Sequence, residues 1–157
     1  MSQALNLDRV KARLKRMAKE FDGMAAQVGL PKGKYYPNGM SVAEVGAIQE
    51  FGAPALGIPP RPFFRPTIAA KQGAWVKHMT HAVRSVSTGN MSGADVLAQV
   101  GAVIAGDIQE TLAKVDGPAL SAETIASKGS SQPLVATGLL AASICHAVNP
   151  AGGEFSV

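Results

Sequence analysis

The sequence predicts an α+β fold in which a small antiparallel sheet packs against several α-helices, with long extended loops between them. Apolar residues recur at helical spacing in several segments, and short apolar runs bounded by turn residues indicate strands. The 17 glycines and 10 prolines among 157 residues indicate many turns and loops. A chain of this length is typical of one domain, so we expect residues 1–157 to form a single domain.

The first predicted element is an amphipathic helix over residues 5–22. Its apolar stripe repeats at spacings of three and four residues and consists of Leu7, Val10, Leu14, Met17 and Phe21. Basic residues cover the other faces. This basic surface is either an ordinary solvated helix face or one turned towards DNA or an acidic partner, with contacts from Arg9, Arg13 and Arg16. Since it lacks aromatic residues for stacking, we do not expect sequence-specific reading of nucleic acid.

Two short elements follow. Residues 25–30 read as a strand that ends at Pro31, and residues 32–38 as a turn. Ser41 and Glu44 form a capping-box pattern, which predicts a helix over residues 42–50 that Gly52 stops.

Residues 53–66 are predicted to form a stiff, mostly extended strap. Proline fixes its own φ and pushes the preceding residue towards extended geometry, and prolines recur through this segment. The strap is either pinned to its own core or fixed against a neighbouring subunit. The candidate interface residues are Arg61, Pro62, Phe63, Phe64 and Arg65.

Two longer helices are predicted after the strap. Pro66 suits the first turn of a helix that ends near residue 85 and has the apolar stripe Ile68, Trp75, Met79 and Val83. Ser92 and Asp95 begin the next helix, which continues to residues 116–117 with a stripe of Val96, Val100, Val103, Ile104, Ile108, Leu112 and Val115. Gly93, Gly101 and Gly106 each weaken this helix by about 1 kcal/mol relative to alanine, which indicates close approach of another backbone.

The C-terminal part is predicted to contain short elements. These are a helical turn at residues 121–127, a Gly/Ser-rich loop at 128–132, a helix start at Thr137 and short strands within residues 142–157. Residues 144–148 form one strand, and residues 154–157 could pair with it. Lys128 and Ser130 are further candidate partner contacts, although the loop also fits a solvated connector.

Little in the sequence points to catalysis, a metal or a cofactor. The single cysteine, Cys145, cannot form an intrachain disulfide and is expected to be a small buried side chain. His78 and His81 share a helical face and His146 could join them, but no metal-binding motif accompanies them. Phosphate-binding loops, nucleophile motifs and paired carboxylates are missing, so we expect no enzyme activity and no cofactor.

Three segments, SVAEVGAIQEFG, IPPRPFFRPTI and ETIASKGSSQPLVATGLLAASI, occur in this order. Together they resemble the tail-component family of tailed bacteriophages typified by the tenth gene product of phage HK97, over roughly residues 36–148. The resemblance implies a structural virion protein that forms a hexameric ring in the neck. Such a ring joins the head connector or adaptor to the tail terminator or tail tube, and genomic DNA passes through its lumen. The family includes neck, tail-completion, tail-terminator and minor tail proteins.

The composition leaves a second hypothesis open. The net charge of +4 also fits a basic nucleic-acid-binding accessory or assembly factor that is not retained in the virion. No signal peptide or long apolar run is visible, so we expect synthesis in the host bacterial cytoplasm and no membrane partner. The expected final location is the neck of the virion, at the head–tail junction.

Overall fold

The computed structural model describes residues 2–115, 138–153 and 155. Within these residues the chain has an α+β fold with five α-helices and a two-stranded antiparallel sheet, which confirms the predicted class. The elements in chain order are α1 Ser2–Phe21, β1 Met24–Gly29, α2 Val42–Phe51, α3 Phe64–Ser87, α4 Gly93–Lys114, α5 Leu139–Ser143 and β2 Cys145–Pro150. The predictions for residues 116–137, including Lys128, Ser130 and Thr137, lie outside the described residues.

The sheet joins two strands that lie far apart in the chain. β1 and β2 run antiparallel, with Gly29 opposite Cys145 at one end and Met24 opposite Pro150 at the other. The sequence identified both strands, but it did not suggest that they pair with each other, because local periodicity carries no information on distant partners. The pairing suggested for residues 154–157 rests on residues 154, 156 and 157, which lie outside the described residues.

Helix α4 is the central element, and it packs against α3 and both strands. Its start is the predicted capping box: the Ser92 hydroxyl accepts from the Asp95 N–H, and the Asp95 carboxylate accepts from the Ser92 N–H. Within its predicted stripe, Val103 is the exception because it is 38% exposed. The buried core cluster combines residues from several elements: Val42, Phe63, Ala105, Ile108, Leu112, Leu140 and Ile144.

Two of the three glycines of α4 lie where another chain segment approaches closely. A Cβ atom at Gly93 would lie 2.0 Å from the carbonyl oxygen of Glu20, and one at Gly101 would lie 3.0 Å from the His146 Cβ. These contacts bring α1 and β2 against α4. The same prediction is wrong for Gly106, because a Cβ there would meet open space.

Helix α3 is fastened to α4 by polar contacts as well as by packing. The Trp75 indole donates to an Asp107 carboxylate oxygen at 2.7 Å, and the Lys71 ammonium lies 3.3 Å from the other oxygen. The predicted burial of Ile68 is wrong, since this residue is 45% exposed. Thr67 is buried instead, and its hydroxyl donates to the Phe63 carbonyl at 2.6 Å, so the first turn of α3 faces the core through Thr67.

Helix α1 buries only the C-terminal end of its apolar stripe. Met17 and Phe21 are half-buried. Leu7, Val10 and Leu14 are 54%, 47% and 59% exposed, respectively. The predicted helix is confirmed, but its N-terminal half extends past the surface that would cover it.

Helix α2 begins at Val42 as predicted, although the expected capping box does not form. The Ser41 side chain makes no cap hydrogen bond. Instead Ser41 pairs with Tyr35 in an isolated antiparallel bridge, and the Val42 N–H donates to the Lys34 carbonyl at 2.9 Å. Backbone pairing across the turn at residues 32–38 therefore replaces the side-chain cap.

Candidate functional site

The strap begins as a small closed loop, not as an extended segment. Ala53 and Ile58 form an antiparallel bridge around a 3₁₀ helix at Pro54–Leu56. The Ala53 N–H and the Ile58 carbonyl oxygen are 2.9 Å apart. At its other end, α3 already starts at Phe64. Extended geometry is therefore the wrong prediction for both ends of the strap, and residues 59–63 form the stretch between the bridge and α3.

Gly52 allows the loop to fold back onto the end of α2. Its φ of 76° lies in the left-handed region that favours glycine. A Cβ at this position would lie 2.9 Å from both the Ile58 carbonyl oxygen and the Pro60 nitrogen. The predicted stop at Gly52 is confirmed, and the glycine also packs directly against the strap.

Glu50 fastens the other end of the strap. Its carboxylate accepts backbone N–H bonds from Phe63 at 2.7 Å, Phe64 at 2.9 Å and Arg65 at 3.1 Å. The Arg65 Nε donates to the same carboxylate at 2.8 Å, and its Nη2 donates to the Glu50 carbonyl at 2.8 Å. One buried side chain from α2 thus caps the N-terminus of α3, where exposed N–H groups favour an anion.

These contacts set the charge state of Glu50. Burial by itself would raise the pKa of the carboxyl group. The hydrogen bonds from the Arg65 side chain and from the N–H groups of Phe63, Phe64 and Arg65 outweigh that effect, so the pKa is lowered. The carboxylate is therefore the form that holds the strap.

The lowered pKa predicts a pH-dependent clamp. A carboxyl group whose pKa is lower in the folded state stabilises the fold above its unfolded pKa, and this contribution is lost as the pH falls through the folded pKa. We expect the difference in unfolding free energy between wild type and Glu50→Gln to be largest near neutral pH and to shrink below about pH 4. Urea unfolding at several pH values measures it, and a difference that stays constant down to acid pH would contradict this assignment.

The predicted interface residues of the strap differ in how deeply they are buried. Phe63 is fully buried in the core, and its ring centroid lies 4.7 Å from that of half-buried Phe64. A contact between Phe63 and another subunit would require the core to open, so Phe63 anchors the strap to its own chain. Arg61 is half-buried, and its backbone N–H donates to the Gln49 carbonyl at 2.6 Å. Pro62 is exposed.

Large apolar side chains are exposed on what we call the outer side of the strap, which consists of the exposed residues of the strap together with Phe51, the last residue of α2. Phe51 is 65% exposed and Leu56 is 72% exposed. The Arg65 guanidinium lies over the Phe51 ring at 5.0 Å from its centroid, in a cation–π arrangement. A rigid loop with an apolar and cationic outer surface is suited to contact with another protein.

The predicted basic contacts of α1 lie apart from the strap, and all three arginines are exposed. Arg13 donates through Nη2 to the Ser87 carbonyl at 2.5 Å and to its hydroxyl at 3.2 Å. Arg13 and Arg16 line a groove of about 750 Å³ beside the α3–α4 turn. Glu20 and Asp95 also line it, so this groove has mixed charge and is not a purely cationic surface.

Comparison with known proteins gives no established relative for this arrangement. No protein-family model, no curated protein and no solved structure matches the chain significantly.

The remaining candidates for other chemistry are three histidines and one cysteine. In the described part of the chain, no three His, Cys, Asp or Glu residues are grouped so that they could hold a metal ion. His146 packs against Gly101 on α4. Burial raises the pKa of the half-buried Cys145 thiol, which favours the unreactive protonated form. None of the described helices is long and apolar enough to cross a membrane.

The residue that sequence reasoning missed is Glu50. An acidic side chain in the last turn of a helix is disfavoured by the helix dipole. Glu50 occupies such a position in α2, just before the Gly52 stop and the proline-rich strap. This unfavourable position was the signal in the sequence that the Glu50 carboxylate interacts with another element.

Proposed function

We propose that this protein is a structural component of a tailed-bacteriophage virion that forms a ring, hexameric by family resemblance, in the neck. In this role it joins the head connector to the tail, and DNA passes through the lumen of the ring. The protein is made in the host cytoplasm and acts by assembly, without catalysis. The first support for this proposal is the resemblance of three sequence segments to the tail-component family.

The observation that carries the proposal is the way in which the strap is mounted. The Glu50 carboxylate and the fully buried Phe63 fix one end of the strap, and the Ala53–Ile58 bridge closes the other. Phe51 and Leu56 nevertheless stay exposed on this fixed base. A contact surface that is already ordered loses little conformational entropy on binding, which favours specific assembly.

A closed ring also requires two different surfaces on each subunit. In a head-to-tail interface, one patch on a subunit meets a different patch on the next. The outer side of the strap, with Phe51, Leu56 and Arg65, is the first of these patches in our proposal. Lys128 and Ser130 stay candidate contacts of the second.

Leu56→Asp is expected to block assembly without harming the fold. Leu56 is 72% exposed, so the substitution should change the unfolding free energy by no more than about 0.5 kcal/mol. An aspartate placed in an apolar interface would be desolvated without a partner, so we expect incorporation into particles to fall at least about tenfold. Complementation of a phage that lacks the gene, followed by quantitative mass spectrometry of particles, measures this.

The matched control is Val76→Asp, which places the same charge at an exposed position on α3, 65% exposed in the free chain. We expect this variant to enter particles like the wild type. If Leu56→Asp entered particles as well as the wild type does, this part of the strap would not belong to the interface.

The neck assignment itself is tested by cryo-electron microscopy of purified particles, with the protein identified by mass spectrometry. A symmetric ring of this chain at the head–tail junction is the expected result. Absence of the chain from mature particles would overturn the proposal.

A second candidate, the basic nucleic-acid-binding accessory factor, is favoured by the exposed basic residues of α1. It predicts a small defined oligomer, a steep fall of DNA affinity with salt, and no retention in particles. The same particle analysis separates the two proposals.

A further inference from the structure

Helix α1 is mounted on the rest of the chain by its C-terminal part. The Glu20 carbonyl packs onto Gly93 so closely that no side chain fits between them. The Gly93 N–H also donates to a Glu20 carboxylate oxygen at 3.3 Å, and Arg13 reaches the Ser87 carbonyl. These contacts hold the helix in one position while residues 6–16 are all exposed.

The exposed part of α1 carries an apolar stripe that nothing in the described chain covers. Leu7, Val10 and Leu14 follow one another at spacings of three and four residues, and the stripe continues into half-buried Met17 and Phe21. An apolar stripe with this spacing of three and four residues is the surface along which one α-helix packs against another. The free stripe is therefore shaped for a second helix.

Basic residues border this stripe on both sides. When two helices pack along such a stripe, Lys11 and Arg13 occupy the two flanking positions beside Leu14, and these positions choose the partner in paired helices. One shallow groove on the surface of α1 is lined by Lys11, Leu14 and Lys15 together with Ala12 and the acidic Asp8. Basic residues outnumber acidic ones by four in this helix, and the remainder of the chain is balanced, so α1 accounts for the whole net charge of +4.

We infer that the N-terminal half of α1 is a docking helix for an acidic amphipathic helix of another protein. That partner helix would bring its own apolar stripe against Leu7, Val10 and Leu14. Carboxylates on both of its flanks would meet Lys11 and Arg13. The inference goes beyond the proposed ring, because it assigns a further surface, separate from the two ring patches, and the chemistry of what that surface binds.

Other occupants fit these observations less well. DNA phosphates would neutralise the cations but leave the apolar stripe in water. Membrane-surface helices usually combine aromatic and leucine anchors, and the exposed part of this stripe holds only Leu7, Val10 and Leu14. Two copies of α1 packed together would oppose Lys11 and Arg13 to like charges, which disfavours a second copy.

The test uses the purified full-length chain and labelled probes at one ionic strength, read by fluorescence anisotropy and flotation. The first probe is a synthetic helical peptide whose leucine stripe, at three-four spacing, is flanked by glutamates. The second is the same peptide with lysines in place of the glutamates. A short DNA duplex and equimolar phosphatidylcholine–phosphatidylglycerol vesicles complete the set.

We expect the glutamate-flanked peptide to bind most tightly. Val10→Gln combined with Leu14→Gln should weaken that binding about tenfold, since it removes most of the apolar contact. Lys11→Glu should shift the preference towards the lysine-flanked peptide, whereas the matched control Val76→Gln on α3 should bind like the wild type. All of these positions are exposed, so thermal unfolding should be unchanged and serves as the folding check.

Several results would overturn the inference. They are the lack of binding to the glutamate-flanked peptide, binding that ignores the Val10 and Leu14 changes, and tighter binding to the duplex or to the vesicles. Because these measurements need no particles, they are independent of whether the chain enters the phage neck.

Discussion

Glu50→Ala is expected to lower the free energy of unfolding by about 3 kcal/mol, because the backbone N–H groups that its carboxylate caps lose their acceptor. Glu50 is 4% exposed, and its carboxylate accepts hydrogen bonds from three backbone N–H groups and from the Arg65 Nε. Its removal leaves the N–H groups at the start of α3 without acceptors, and an unsatisfied buried donor costs about 1–3 kcal/mol. Arg65 is 59% exposed, so the ion pair itself contributes the smaller share.

Urea unfolding followed by circular dichroism measures this loss, and two variants serve as controls. Glu50→Gln keeps one acceptor oxygen and should lose clearly less stability than Glu50→Ala. Glu44→Ala removes a carboxylate from the exposed face of the same helix and should change stability by no more than about 0.5 kcal/mol. If the Glu50 and Glu44 variants were equally stable, the clamp would not hold the strap.

The clamp also explains why the strap was only partly predictable. The prolines predicted a stiff, mostly extended strap over residues 53–66, because they restrict φ whatever surrounds them. The segment closes into a loop at Ala53–Ile58 and enters α3 at Phe64 because Glu50 supplies acceptors from a different helix. A contact between separate elements leaves no periodic trace in the sequence.

The sequence pattern predicted the positions of the helices and strands better than it predicted the contacts between them. The helix starts at Val42 and at Gly93 and both strands were found, since spacing and capping residues specify them locally. Burial was harder to predict: Ile68 and Leu14 belong to good apolar stripes, yet both are exposed. Helical periodicity identifies an apolar face, but the arrangement of the other elements decides whether that face is covered.

The exposed stripe of α1 and the outer side of the strap both indicate that another molecule covers them. Monomeric proteins rarely leave large apolar side chains grouped on a rigid surface unless another molecule covers them. Leu14 and Leu56 lie on elements that are each fastened by buried or close contacts, Gly93 against Glu20 in one case and Glu50 at the strap in the other. Two separately mounted surfaces suit a protein that joins different partners.

Phe63→Ala is the other change expected to have a large effect, a loss of about 3–5 kcal/mol in unfolding free energy. The ring is fully buried in the core cluster with Val42, Ile108 and Leu140, so truncation leaves a cavity that the packed helices cannot fill. Phe63→Leu should cost less, because most of the volume is kept. Thermal and urea unfolding measure both variants.

Phe51→Ala separates this structural role from the proposed contact role. Phe51 is 65% exposed, so its loss removes little beyond the cation–π contact with Arg65, worth about 0.5–1 kcal/mol at an exposed site. We therefore expect Phe51→Ala to fold normally and to enter particles poorly, whereas Phe63→Ala should fail because the chain unfolds. If Phe51→Ala instead entered particles at the wild-type level, the exposed ring would not belong to the interface. A stable, well-folded Phe63→Ala would show that the strap is held by the Glu50 clamp alone.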